Sequence, residues 1–181
     1  MRRTGLCLLA IVMFCSGQVC SPLGAGDPGP EDLGLPIPEG TYSGEIPARA
    51  RATLNSLTVA TTTEPMPVTQ AFGSDGQPLT DANEPMGAGY KVEEQSPEGT
   101  TTITVKSIES DDRSLTITYD ATMSISSAGR QVVMTGTATR TYTPKADGSL
   151  AIHVTMDVSG QVNNGVAMGM VVDGNGYLTR Q

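Results

Sequence analysis

Between residues 115 and 172 the chain alternates apolar and polar positions almost without interruption, in four long segments joined by turn-forming sequences. Leu115, Ile117, Tyr119, Ala121, Met123 and Ile125 fall on one side of the first segment, and Thr116, Thr118, Asp120, Thr122 and Ser124 on the other. Successive side chains on a strand point to opposite faces, so a period of two specifies a sheet with one buried face. The pattern predicts strands at 114–126, 130–143, 149–160 and 165–172.

Upstream the alternation is looser. Strands are expected at 41–48, 52–60, 65–72, 90–94 and 101–108, with a short terminal strand at 177–180. The stretch 73–89 (GSDGQPLTDANEPMGAG) has turn chemistry and is expected to form the longest internal loop. The connections at 109–112, 127–129, 144–148 and 162–164 are short and rich in turn formers, which suits hairpins. None has room for the crossover helix that a parallel pair requires. The fold class that follows is all-β: an antiparallel meander of about eight to ten strands. Long strands coil, so the sheet is expected to close, or nearly close, into an up-and-down barrel.

The inward face of the last four strands carries Leu115, Ile117, Tyr119, Ala121, Met123 and Ile125, then Val132, Met134, Ala138 and Tyr142. Leu150, Ile152, Val154, Met156 and Val158 follow, and then Val166, Met168, Met170 and Val172. Methionine is flexible and suits adaptable binding surfaces. The chain has no Trp and two Phe, so a barrel of this size is short of bulky side chains to fill it. Tyr119, Met123, Met134, Met156, Met168 and Met170 are therefore the candidate ligand-binding residues, and ordinary core filling is the competing account.

The opposite face is dominated by threonine: Thr116, Thr118, Thr122, Thr135, Thr137, Thr139, Thr141 and Thr155. Threonine is β-branched yet polar, which suits a solvent-facing strand position. A small outer-membrane barrel is the alternative, with the apolar face toward lipid and threonines in the lumen. It is disfavoured by the shortage of aromatic residues for interfacial girdles.

Composition adds an address. Arg2 and Arg3 precede a ten-residue apolar run, LCLLAIVMFC at 6–15. A membrane-spanning helix needs about 20 apolar residues, so residues 1–20 read as a signal peptide. Small residues at Cys15 and Gly17 give an ordinary cleavage before Gln18. Alternatively, Gly17-Gln18-Val19-Cys20 resembles the lipobox of bacterial lipoproteins, with Val19 where that motif has a small residue. The resemblance implies acylation of Cys20 and membrane anchoring through it. Residues 21–39 hold five prolines and four glycines and are expected to be a disordered linker. The domain is then 40–181.

All three cysteines lie in the first 20 residues, so the domain has no disulfide. With 11 Lys+Arg against 19 Asp+Glu, the chain is acidic and has no basic run. Nucleic acid is excluded as a partner.

No arrangement of residues suggests catalysis. His153, the only histidine, sits on the polar face, and counting from the turns places it opposite Thr139 and Val171. Neither is a carboxylate, so a Ser-His-Asp or metal site is not expected there. Glu109, Asp111 and Asp112 share one turn without EF-hand spacing. Asp173-Gly174-Asn175-Gly176 reads as a turn before the last strand. Catalytic residues, metal ligands and cofactors are all expected to be absent.

Gly40-Thr41-Tyr42 at the start of the first strand, with Arg180 at the end of the last, resembles the lipocalin arrangement. There a Gly-x-Trp motif on strand one is packed by a late arginine; here Tyr42 stands in the tryptophan position. The resemblance implies an up-and-down barrel carrying a small apolar ligand. The function expected is that of an exported, non-enzymatic envelope protein, periplasmic, membrane-anchored or extracellular, that binds a small hydrophobic molecule. The alternative is a structural or protein-interaction domain with a filled core.

Overall fold

The alternation becomes one antiparallel sheet. The computed structural model describes residues 32–96, 99–127, 130–162 and 165–181. The leader with Cys20, residues 21–31, and the turn residues 128–129 and 163–164 lie outside the described residues. The strands are β1 (Gly40–Leu54), β2 (Leu57–Phe72), β3 (Pro78–Leu79), β4 (Lys91–Ser96) and β5 (Gly99–Ser110). They continue with β6 (Leu115–Ser127), β7 (Arg130–Pro144), β8 (Leu150–Val162) and β9 (Val166–Arg180). The sheet order is β3-β2-β1-β9-β8-β7-β6-β5-β4, and every pairing is antiparallel. The expected all-β meander is therefore the fold. β1 pairs with β9, as first and last strands do in an up-and-down barrel.

Hydrogen bonds do not close the ring. The sheet ends at β3 on one side and β4 on the other. It nevertheless curves around its apolar face. Phe72 on β2 and Tyr142 on β7 have β1, β9 and β8 between them, which in a flat sheet would hold them about 19 Å apart. Their ring centroids are 5.3 Å apart and edge-on, and Tyr42 lies 5.9 Å from Phe72 in the same manner. With Ile37, Leu115, Leu150 and Leu178 these rings form a solid apolar end.

At that end the segment between β3 and β4 spans the gap in the ring. The Gln70 side-chain amide, buried inside, donates to the carbonyls of Ala71 and Leu79. On the far side, the Val105 amide donates to Tyr90 O and the Gly89 amide to Val105 O. The loop expected at 73–89 thus ties β2 to β5 where no ladder does.

Three details depart from the sequence reading. First, β1 and β2 are single long strands joined at Asn55-Ser56, both with positive φ (48° and 66°). These are the backbone angles of a type I′ hairpin turn. The strand expected at 52–60 ran straight through this turn, because Asn-Ser is a weaker turn signal than Asn-Gly.

Second, β9 is continuous through Asp173-Gly174-Asn175-Gly176, with Gly174 paired to Val154 and Gly176 to Ile152. A Cβ on Gly176 would lie 2.6 Å from Ile46 Cγ2. This glycine makes room for a neighbouring core side chain rather than for a turn.

Third, residues 32–39 are docked on the sheet rather than loose. Leu33 N donates to Pro144 O, Lys145 Nζ pairs with Asp32, and Ile37 is 1% exposed within the core. Tyr42 adds a hydrogen bond from its hydroxyl to Pro38 O, at 3.0 Å. An isoleucine that well buried contributes to stability despite its proline-rich setting. Ile37→Ala should lower unfolding free energy by about 2–4 kcal/mol, read as a lower urea midpoint at unchanged slope. An unchanged midpoint would mean that the segment is not docked in solution.

Candidate ligand cavity

The inner face is filled at one end and open toward the other, and the register explains why. Moving away from the aromatic end, β1 turns Ala48, Ala50 and Ala52 inward. In line with them stand Gly174 on β9, Gly136 and Ala138 on β7, and Ala121 on β6. Of these, Ala48, Ala50 and Ala138 line open space, whereas a Cβ on Gly136 or Gly174 would meet neighbouring backbone. The result is a cavity of about 490 Å³. Apolar walls come from Ala48, Ala50, Ile103, Val105, Val154 and Val172, with methionines between them. Thr62, Glu64 and Met66 of β2 and Val92 of β4 border it on either side of the gap in the ring.

Of the six residues proposed from sequence, Tyr119, Met123, Met156 and Met170 line this cavity. Met134 does not: it is buried in the second apolar cluster, with Ala48, Ala121 and Val158. Met168 packs against the same cluster, partly buried, and is also away from the cavity wall. Inward parity was readable for all six, but which ones meet open space depends on the small residues opposite.

Three charged residues that the sequence pattern did not single out line the cavity: Arg140, Glu64 and Asp81. Arg140 pairs with Ile117 on one side and Val154 on the other, so it stands on the inner face between Ala138 and Tyr142. Its parity gave the signal, since it is even-numbered like the inward residues around it on β7. The guanidinium lies over the Tyr119 ring, 5.6 Å from its centroid, a favourable cation–π geometry. Among the described residues no carboxylate comes within 4.0 Å of it. Burial acts to lower the Arg140 pKa, but the Tyr142 and Tyr119 phenols outweigh it and leave the value raised. The group therefore stays charged.

Burial raises the pKa of both phenols, with Arg140 acting to lower it. The Tyr142 hydroxyl is fully buried and has no hydrogen-bond partner of good geometry. Glu64 is the second charge. It pairs with Ala48 and so shares a row with Gly174, Val154 and Arg140 across four strand spacings.

The outer face holds the threonines. Thr116 bonds to Thr141 at 3.1 Å and Thr139 to Thr155 at 2.7 Å, across neighbouring strands. The apolar residues lie on the inside of the curve and the threonines on the outside.

His153 stands opposite Thr141 and Asn175, not Thr139 and Val171, because Pro144 pairs with Leu150 and Val162 with Val166, which sets the register of both hairpins. It consequently has a carboxylate neighbour: Nε2 lies 3.1 Å from Asp173 Oδ2, with the two side chains 51% and 61% exposed. Asp111 Oδ1 accepts from the amides of Arg113 and Ser114, which hold its pKa below the usual value. That carboxylate is engaged in its own turn. Among the described residues no group of three or more His, Cys, Asp or Glu is placed to hold a metal ion.

The lipocalin-like residues do meet. Tyr42 pairs with Arg180 across β1 and β9, and Gly40, at φ 146°, lies beneath the Arg180 side chain, where a Cβ would be 2.5 Å from Nε. Comparison with known proteins gives no relative: no protein family, no curated protein and no solved structure matches the chain.

Proposed function

We propose that this is an exported, non-enzymatic envelope protein that binds a small hydrophobic molecule inside its curved sheet, in the manner of a lipocalin. The observation that carries the reading is the unfilled interior of about 490 Å³, within the range of about 300–1,000 Å³ typical of small-molecule sites. Its walls expose mostly apolar surface, interrupted by groups such as Glu64, Gln70 and Arg140, and Met123, Met156 and Met170 can adjust to ligands of different shape. The meeting of Gly40, Tyr42 and Arg180 gives the lipocalin comparison a physical counterpart. The alternative, a structural domain with a filled core, would not leave Ala48, Ala50 and Ala138 facing an open space.

The test is binding of Nile red, a neutral dye that fluoresces in apolar surroundings. The wild-type protein should bind it, and Ala138→Phe, which fills the cavity from β7, should weaken binding by about tenfold or more, as expected when an apolar group loses its pocket. Thermal melting confirms that the variant is folded. No dye binding by the wild type, or equal binding by both, would contradict a cavity site.

Export rests on the leader at 1–20. Mass spectrometry of the mature protein should find either an acylated Cys20 or a start at Gln18. An intact Met1 terminus after expression with an export pathway would contradict this part of the proposal.

A further inference from the structure

Arg140 is out of place in an apolar container. A cation removed from water is costly unless a counter-ion and hydrogen bonds meet it. Replacing such a group with an apolar one of similar size is often neutral or stabilising. The described residues nevertheless place it among Ile117, Val154, Ala138 and Tyr119 with no carboxylate within 4.0 Å. Glu64 and Asp81 border the same cavity but stand farther off than that.

Its position along the barrel is informative. The Arg140 row is the first above the aromatic end, and the rows beyond it carry Met156 with Tyr119, then Met170, then Met123. Along β6, the six residues from Ile117, the partner of Arg140, to Met123 rise about 20 Å. Arg140 therefore sits at the base of a long, largely apolar space, beside a buried phenol, Tyr142, whose hydroxyl makes no hydrogen bond of good geometry.

We propose that the ligand is an amphipathic anion, an alkyl-chain carboxylate whose headgroup pairs with Arg140 and whose chain lies among Met156, Met170 and Met123. A planar guanidinium matches a carboxylate with two parallel hydrogen bonds. The ligand supplies the counter-ion that the protein lacks, and the small side chains of Ala48, Ala50 and Ala138 leave room for its chain. This inference rests on the cavity-binding reading above and adds the charge of the ligand to it.

Isothermal titration of the full-length protein with dodecanoate, dodecanol and dodecylamine tests it, because the three share a chain and differ in headgroup charge. Dodecanoate should bind about tenfold to a hundredfold more tightly than the alcohol, the range expected of one charge-assisted hydrogen-bonded pair. The amine should bind more weakly still. Arg140→Met should erase the preference for the acid while retaining the alcohol, and its melting temperature should be no lower than that of the wild type. Glu64→Gln should bind dodecanoate at least as well as the wild type.

Equal binding of acid and alcohol by the wild type would overturn the anion assignment and leave the cavity reading standing. So would a preference for the acid that appears only in Glu64→Gln, which would mean that Arg140 serves Glu64 in the wild type rather than a ligand. If none of the three binds and Nile red does not either, both readings fall. The wild-type comparison of acid with alcohol decides the matter even if Arg140→Met fails to fold.

Discussion

The contact between Phe72 and Tyr142 sets the shape of this protein. Pairing alone gives a nine-strand meander that could lie open; the two rings join strands that a flat sheet would keep well apart. Tyr42 on the near side and Ile37 from the docked N-terminal segment complete the cluster, and Gln70 fixes the connector that spans the gap in the ladder. Bulky side chains are scarce in this chain, and they are concentrated at one end. The apolar face is thereby committed to the inside, and the threonine face to the outside.

What lies beyond that end follows from side-chain volume. Ala48, Ala50 and Ala138 border the open space, and the methionines that could fill it are the side chains best able to leave it. A close-packed interior would need larger residues at several of these positions at once. The same openness makes Arg140 tolerable, because its charge faces a space that a ligand or water can enter. Stability and binding pull in opposite directions at that residue, which is common where a site is built into a core.

Most of the architecture was legible in the alternation, and the exceptions have specific causes. β6, β7 and β8 were evident because large apolar and polar residues alternate strictly from Leu115 to Val158. β1 was blurred because its inward positions past Ile46 are alanines, whose small hydrophobic signal is easily lost between Arg49 and Arg51. The Asn55-Ser56 turn lacks the glycine that usually announces a hairpin, whereas Gly174 and Gly176 look like a turn but are packing positions. Tyr119, Met123, Met156 and Met170 were identifiable as inward-facing, yet nothing local distinguishes them from Met134, whose neighbours across the barrel leave it no open space. Arg140 was hidden by its charge: parity placed it inside, and a pattern read only for apolar residues skipped it.

The central claim is that the interior is an accessible cavity bounded by particular methionines. Methyl-labelled methionine NMR during titration with dodecanol reads it residue by residue. The methyl signals of Met123, Met156 and Met170 should shift progressively, while that of Met134, buried away from the cavity, should stay in place. Shifts confined to outer-face or terminal residues, or a response of Met134 equal to that of the other three, would contradict the account.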